Sequence, residues 1–314
     1  MNRLFVCIIG LYLLASQLVL AERSTLRVVS YNVENLFDIQ HDSLKNDSSY
    51  LPDGLHHWTY HRYTTKLNRI AQVIVNIGGW ESIPLVGLCE VENAHCLRDL
   101  CYRLRCYNYR YVHYDSPDER GVDVALLYDS TQIKILYSQP ISLYFPDDYT
   151  RDILYVMALY QESDTIHTMV CHLPSQLGGA AATEYKRDYA KRLIRKQINT
   201  ILRNQPQANI IVMGDMNTTP IDDMHGMCNM MLDLHHQGQG THKYQGQWTC
   251  LDQFYVSSIL RPYSSVSIYS PSWLLEEDGK YLDYQPFRTY VGFRYNDGYS
   301  DHLPIVLTTV LPKE

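Results

Sequence analysis

The chain has 314 residues, 46% apolar and 19% charged, and carries 27 Lys and Arg against 34 Asp and Glu, a formal net charge of −7. Apolar content spread this evenly excludes a disordered chain, and 16 Gly and 13 Pro without a period exclude a collagen-like one. The length suits one layered α/β domain of about 250–300 residues as well as two smaller ones, and the absence of a roughly 20–50-residue repeat argues against a solenoid or propeller.

Residues 1–21 read as a secretory signal peptide. Arg3 supplies the charge, Leu4 to Ala15 is an apolar run, and Val19-Leu20-Ala21 ends in the small residues a signal peptidase reads. An uncleaved anchor is the alternative, but Leu4 to Ala21 falls short of the roughly 20 residues of a spanning helix. Cleavage before Glu22 leaves one domain over residues 22–314, exported to the periplasm or medium, with no second stretch able to span a bilayer. Its charge is 26 minus 34, or −8. Such a chain does not attract phosphate backbones by its overall field, although bound divalent cations would reverse the sign locally. The seven remaining cysteines are Cys89, Cys96, Cys101, Cys106, Cys171, Cys228 and Cys250. They form no zinc pattern, and one or two disulfides are open after export.

In chain order, Leu26 to Tyr31 is a buried strand, Thr64 to Ile77 an amphipathic helix stopped by Gly78-Gly79, Pro84 to Cys89 a strand and Ala94 to Leu104 a helix. Strands follow at Asn108 to Tyr114, Val122 to Tyr128, Ile133 to Phe145, Ile153 to Tyr160 and Ile166 to His172. A long helix over Thr183 to Arg203 turns Tyr189, Leu193, Ile198 and Ile201 inward. The last strands are Asn209 to Met213, Gln253 to Val256, Val266 to Tyr269 and Ile305 to Val310. Hairpins mixed with helices predict a mixed sheet with helices outside. Three long polar loops, Gln40 to His61, His235 to Gln247 and Pro271 to Asp297, have the length of lids or binding loops. Many of the 27 tyrosines lie near loops, placed either to stack on bases and sugars or to pack at strand ends with the hydroxyl in water.

Polar residues interrupt apolar strand ends at five places: Ser30-Tyr31-Asn32-Val33-Glu34, Cys89-Glu90, Cys171-His172-Leu173-Pro174-Ser175, Gly214-Asp215-Met216-Asn217 and Ser300-Asp301-His302-Leu303-Pro304. Carboxylates, amides and imidazoles gathered at one rim without thiolates suit a hard, oxygen-seeking cation, Mg²⁺ or Mn²⁺. Each element alone has a plain structural explanation. Gly-Asp-Met-Asn can be a turn, and Glu90 can sit near the start of the next helix.

As an ordered set, S-Y-N-V-E-N, L-C-E-V-E-N, H-L-P-S, G-D-M-N, W-T-C-L-D and S-D-H-L-P-I resemble the endonuclease/exonuclease/phosphatase superfamily, over Leu26 to Val310. The resemblance implies a four-layer α/β/β/α sandwich of two mixed sheets with outer helices. It implies that Asn32, Glu34, Glu90 and Asp301 face the metal, with Glu34 standing where the family usually has Asp or another residue. Asp215 and Asn217 would hold the attacking water and a phosphate oxygen, Asp252 would orient His302, and His172 would contact the scissile phosphate or protonate the leaving group. Asp123 is a further candidate to orient His172, and Arg187 to reach phosphate.

These features lead to an exported, Mg²⁺- or Mn²⁺-dependent phosphodiesterase, most simply a nuclease, with a phosphate ester, nucleic acid first, as its partner and no stable protein partner implied. A phospholipid or inositol-phosphate phosphoesterase is the alternative. A silent binding module on the same rim is disfavoured, because Asp215, Asn217, Asp301 and His302 are all present.

Overall fold

A computed structural model describes residues 25–146, 149–176, 178–221, 224 and 226–312, so the leader over 1–21 lies outside the described residues. One mixed six-stranded sheet has the order β13 (Ser264–Ile268), β18 (Ile305–Val310), β1 (Thr25–Leu36), β2 (Leu85–Val91), β4 (Asp123–Asp129), β3 (Tyr109–His113). The other has the order β5 (Ile133–Ile141), β6 (Ile153–Tyr160), β7 (Asp164–His172), β8 (Asn209–Asp215), β12 (Asp252–Ser257), β9 (Met227–Asn229). Each sheet holds one parallel pair at its centre, β1–β2 and β7–β8. A long helix connects each pair, α1 (Tyr60–Gly78) in the first and α3 (Ala180–Asn204) in the second, while α2 (Ala94–Arg103) joins β2 to β3. Parallel neighbours need such a crossover, whereas antiparallel β6 and β7 close with the short turn at residues 161–163.

The period-2 alternation of strands sorts the apolar residues into three cores. Val29, Tyr31, Val33, Val86 and Leu88 pack with Leu67, Ile70 and Ile74 of α1 and Leu97 of α2. Leu26, Val28, Leu85 and Cys89 meet Val156, Val170, Ile211, Met213 and Phe254 between the sheets. Met169, Cys171, Ile210, Val212 and Tyr255 pack with Ala190, Ile194, Ile198 and Ile201 of α3. The layers therefore run helix, sheet, sheet, helix, as the motif resemblance implied. The buried stripe of α3 is centred on Ala190 and Ile194, with Tyr189 and Leu193 at its flank.

Several boundaries differ from the sequence pattern. Helix α1 starts four residues before Thr64, at Tyr60, because Thr59 caps it by accepting the N–H of Arg62. Strand β1 runs on to Leu36 through a register shift against β2, which periodicity alone does not show. The polar segments after residue 235 fold as hairpins, β10 (His242–Tyr244) with β11 (Gln247–Thr249), β14 (Leu275–Asp278) with β15 (Asp283–Pro286), and β16 (Tyr290–Val291) with β17 (Arg294–Tyr295). Much of the loop aromatic content is spent on itself. Tyr50 stacks between Phe37 and His56, with ring centroids at 4.3 Å in both contacts, and Tyr290 meets Trp58, His56 and Tyr295. All seven cysteines among the described residues are free thiols. No helix among the described residues is long and apolar enough to cross a membrane.

Candidate active site

The inward row of the inter-sheet core turns polar at the carboxyl ends of both parallel pairs, where ligands gather in open α/β sheets. On β1 the row continues from Val28 through Ser30 to Asn32, on β7 from Val170 to His172, and on β8 from Met213 to Asp215. Registry then aligns the groups across strands. Asp215 pairs with His172 on one side and with Asp252 on the other. Gly214 makes this approach possible, since its φ is +132° and a Cβ there would collide with the Cys171 carbonyl.

Asn32 ties the two sheets together. Its Nδ2 donates to Glu90 Oε1 at 3.4 Å and to Asp215 Oδ2 at 3.2 Å, while its Oδ1 accepts the Glu34 N–H at 3.0 Å. The amide nitrogen therefore faces the carboxylates, and Asn32 acts here as a spacer between them. Glu90 sits on the irregularity in β2 with φ 66°, and its Oε2 accepts the Asn35 N–H at 2.9 Å. Glu34 and Asn35 also take positive φ, 51° and 54°. Non-glycine residues pay about 1–3 kcal/mol for such conformations, which concentrate at functional sites.

Glu34 is placed differently from a free ligand. Both oxygens accept backbone N–H groups from the late hairpin, Thr289 at 2.7 Å and Tyr290 at 3.1 Å, and burial followed by the nearby Asp301 raises its pKa. Glu34 thus docks that loop onto the rim. Lys66, fully buried on α1, completes the anchor by donating to Thr289 Oγ1 at 2.5 Å and the Tyr299 carbonyl at 2.6 Å.

His302 is hydrogen-bonded through Nδ1 to Asp252 Oδ2 at 2.7 Å, and its Nε2 lies 3.9 Å from Asp215 Oδ2. Burial alone would discharge the ring, but Asp252, then Asp215 and Asp301, outweigh it and hold His302 as a cation. The carboxyl of Asp301 is held below the usual range, because His302, His242, Arg288 and Lys66 outweigh its burial. Asp215 is raised, chiefly by burial and then by Asp252, against the pull of His302. Its Oδ1 accepts the Asn217 N–H at 2.8 Å, and the Asn217 amide donates to the Leu173 carbonyl at 2.9 Å. Ser300 fastens the last motif to the first, donating to the Asn32 carbonyl at 2.7 Å.

His172 is neutral. Burial, then Arg151, Arg120 and His302, depress its pKa. Arg151 Nη2 meets His172 Nε2 at 2.8 Å, and a guanidinium only donates, so Nε2 is the accepting nitrogen and the ring proton is on Nδ1. That Nε2 also lies 3.5 Å from Asp215 Oδ2 and 3.9 Å from Glu90 Oε1. Asp123 does not orient His172. It pairs with His113 at 3.2 Å and accepts from Ser116, because it opens β4 beside β3 rather than beside β7. Arg187 is engaged by the Pro174 and Ser175 carbonyls and by Thr183 Oγ1, bracing the turn after β7.

Sequence reasoning missed Arg151, Lys66 and His242. Lys66 had a signal, since it falls on the buried stripe of α1 with Tyr63, Leu67 and Ile70. His242 had none. It reaches the rim through a bridge to His302, and His242, Asp301 and His302 present ligand atoms within 4.8 Å of one another. The donors suit a hard divalent cation: Glu90, Asp215 and Asp301 are carboxylates crowded at one rim, with no thiolate in the set. A cleft of about 550 Å³ lies at the opposite end of the strands around Thr25, Arg27 and Gln161, away from this chemistry.

The model of the Endonuclease/Exonuclease/phosphatase family matches residues 27–310. Among solved structures, truncated TDP2 of Caenorhabditis elegans is 15% identical with a TM-score of 0.58, over 91% of this chain and 98% of that one. The catalytic domain of human Nocturnin with bound sulfate is 16% identical with a TM-score of 0.56, over 90% and 93%. A mannosyl-6-phosphatase of Bacteroides thetaiotaomicron is 15% identical with a TM-score of 0.57, over 91% and 100%. No curated protein matches the sequence significantly. Matched from its first strand to its last, the chain belongs to the endonuclease/exonuclease/phosphatase family of metal-dependent phosphoric ester hydrolases.

Proposed function

We propose that the protein is an exported phosphodiesterase dependent on Mg²⁺ or Mn²⁺, hydrolysing nucleic-acid phosphodiester bonds. The observation that carries this reading is the alignment of His172, Asp215 and Asp252 across three neighbouring strands, with Asn32 joining Asp215 to Glu90 on the facing sheet. Glu90 and Asp301 would hold the metal, with the Asn32 amide setting the spacing of Glu90 and Asp215. When bound, a divalent cation neutralises charge on the phosphate oxygens and lowers the pKa of a coordinated water. Asp215, its carboxyl raised by burial, takes the proton of the attacking water. His302, kept cationic by Asp252, offers an N–H to charge developing on the phosphoryl group and has a proton for the departing oxygen. His172, its Nε2 occupied by Arg151, contributes position rather than a proton. Asn217 stiffens Asp215 through its backbone N–H. Export rests on the leader at residues 1–21.

The reading is tested with residues 22–314 on plasmid DNA, RNA and bis-p-nitrophenyl phosphate, each with Mg²⁺, Mn²⁺ and EDTA, beside Glu90→Ala. Metal-dependent cleavage of nucleic acid that disappears in the variant is the expected result. Silence on all three sinks the reading. Turnover of the small diester alone moves the substrate to lipid, sugar or inositol phosphates, a second reading favoured by the acidic chain charge of −7. Amino-terminal sequencing of the chain recovered outside the cytoplasm tests export, with Glu22 expected as the first residue.

A further inference from the structure

A charged surface lies away from the rim, at the free edge of β3, the last strand of its sheet. A cleft of about 340 Å³ there is lined by Arg98, Cys101, Tyr109, Arg110, Tyr111 and Tyr128. Helix and strand periods build it together. Arg98, Cys101 and Tyr102 stand at i, i+3 and i+4 on α2, on the side away from the buried Leu97 and Leu100. Alternation along β3 turns Tyr109 and Tyr111 toward α2, while Arg110 faces the other way beside its cross-strand partner Tyr128. The cleft therefore wraps the strand edge, with tyrosine rings between two arginines. Those cations are uncommitted: Arg98 and Arg110 are exposed and make no hydrogen bond or ion pair among the described residues. The Tyr111 and Tyr128 hydroxyls are likewise without a hydrogen-bond partner there, whereas the Tyr109 hydroxyl is fixed on the Ile83 backbone. The acids of the flanking segments are engaged elsewhere, Asp99 with the Tyr63 hydroxyl at 2.9 Å and Asp129 with Ser82, Thr131 and Gln132. Residues 98–110 carry four arginines and one acid on a chain of net charge −7. A charge on an edge strand guards it against pairing, but two free arginines around open tyrosine rings go beyond that. Fixed cations over aromatic rings are the arrangement that holds unstacked bases and their phosphates.

We propose that this edge is a docking surface for single-stranded nucleic acid, with phosphates on Arg98 and Arg110 and bases against the Tyr111 and Tyr128 rings. The inference rests on the phosphodiesterase reading of the rim and deepens it. Tyr128 pairs with Leu85 of β2, five residues before Glu90, so the cleft lies about 17 Å from the rim along the strands and about 10 Å across them. A strand of several nucleotides can therefore rest on the edge while a distant linkage occupies the rim. A dinucleotide reaches the rim alone. A local basic patch retains a polyanion that the acidic chain as a whole repels. Duplex bases are paired and stacked, so they offer no open face to the tyrosines.

The test is fluorescence anisotropy in EDTA with a labelled oligothymidylate of about 15 nucleotides, on wild type, Arg98→Gln/Arg110→Gln and Tyr111→Leu/Tyr128→Leu. The charge variant should bind about tenfold or more weakly, and the slope of log Kd against log salt should fall by about 1.4, about 0.7 for each phosphate contact. The ring variant should lose about tenfold in affinity with its salt slope unchanged, because stacking releases no counterions. Melting temperature and turnover of bis-p-nitrophenyl phosphate in Mg²⁺ should match wild type in the charge variant, whose substituted side chains are exposed. Its KM should rise on the long strand and stay level on a thymidylyl dinucleotide. Wild-type affinity and salt slope in the charge variant, or an equal rise of KM on the dinucleotide, overturns the surface. Displacement of the strand by polyglutamate as readily as by unlabelled oligothymidylate overturns nucleic acid as its occupant, in favour of an acidic peptide. Tight binding without hydrolysis of any diester would leave the surface in place and count against the phosphodiesterase reading. Turnover of the small diester without strand binding would do the reverse.

Discussion

Among the described residues Asp252 makes one side-chain bond, to His302 Nδ1, and its other oxygen Oδ1 is buried without a hydrogen-bond partner. Its contribution is therefore concentrated in the charge it presents to one ring. Asp252→Asn keeps the shape and removes the charge, and an amide nitrogen turned toward Nδ1 would demand the opposite tautomer. We expect kcat on bis-p-nitrophenyl phosphate to fall by about 10²-fold or more, with some loss of melting temperature because a buried pair with His302 is broken, so the rate is compared below the variant's own melting transition. A kcat within threefold of wild type would remove His302 from the reaction. Glu92 gives a residue-scale prediction in pH. Burial, then the neighbouring Asp38, Asp47 and Asp42, push its carboxyl from 4.5 up to about 8, although it accepts the Asp38 N–H at 2.6 Å. The folded chain thus keeps a proton on Glu92 that the unfolded chain releases above about 4.5, so this group's contribution weakens stability as pH rises from there to about 8. Urea unfolding in EDTA at pH 5.5 and 8 should show that loss, and Glu92→Gln should flatten it. An unchanged slope in the variant would assign the pH dependence elsewhere.

Two glycines, Gly87 on the inward row of β2 and Gly214 between the inward Met213 and Asp215 of β8, separate strain from crowding at the scale of the strands. A Cβ on Gly87 of β2 meets the flexible end of Met213, which can swing, so Gly87→Ala should cost about 1–3 kcal/mol. A Cβ on Gly214 of β8 meets the Cys171 carbonyl of the paired strand, at a φ of +132° that alanine avoids. Gly214→Ala should cost more than about 3 kcal/mol and part His172 from Asp215, losing activity with stability. Urea unfolding of both variants decides it, and equal costs would show that β7 can shift. The same strands explain what the sequence could disclose. Period-2 alternation running into Asn32, His172, Asp215 and Asp252 announces both the sandwich and its polar rim, because sheet and site share one periodicity. The E-V-E-N segment reads as chemistry but divides its work. Glu90 faces the rim, Glu92 holds the Asp38 N–H, and Asn93 caps α2 by accepting from His95 and Cys96. Arg151 and His242 were illegible, since neither lies in an interrupted strand end and each arrives through a tertiary contact, with His172 or with His302. Glu34 was legible as a rim residue but not as the anchor of Thr289 and Tyr290, 255 and 256 residues downstream.

The whole molecule carries its cost of function at the rim. Two sheets with separate helices are joined there through Asn32, Glu90 and Asp215; Asp252 and Glu90 repel the Asp215 carboxylate and His302 offsets them, while His302 and Lys66 stabilise Asp301. A divalent cation bound only by the folded chain should therefore stabilise the entire sandwich, by about 2.7 kcal/mol at a concentration one hundred times its Kd. Glu90→Gln removes one repelling charge while its amide oxygen still accepts the Asn35 N–H; its amide nitrogen then replaces the oxygen that accepts from Asn32 Nδ2 at 3.4 Å, the longer of the two bonds. In EDTA the variant should be at least as stable as wild type. With Mg²⁺ or Mn²⁺ added, wild type should gain and overtake it, so that the two unfolding curves exchange order. Calorimetric melting with and without metal checks this. An equal gain in both proteins would place the cation away from Glu90, and a loss of stability for Glu90→Gln in EDTA would make Glu90 a structural carboxylate rather than one held in readiness for a metal.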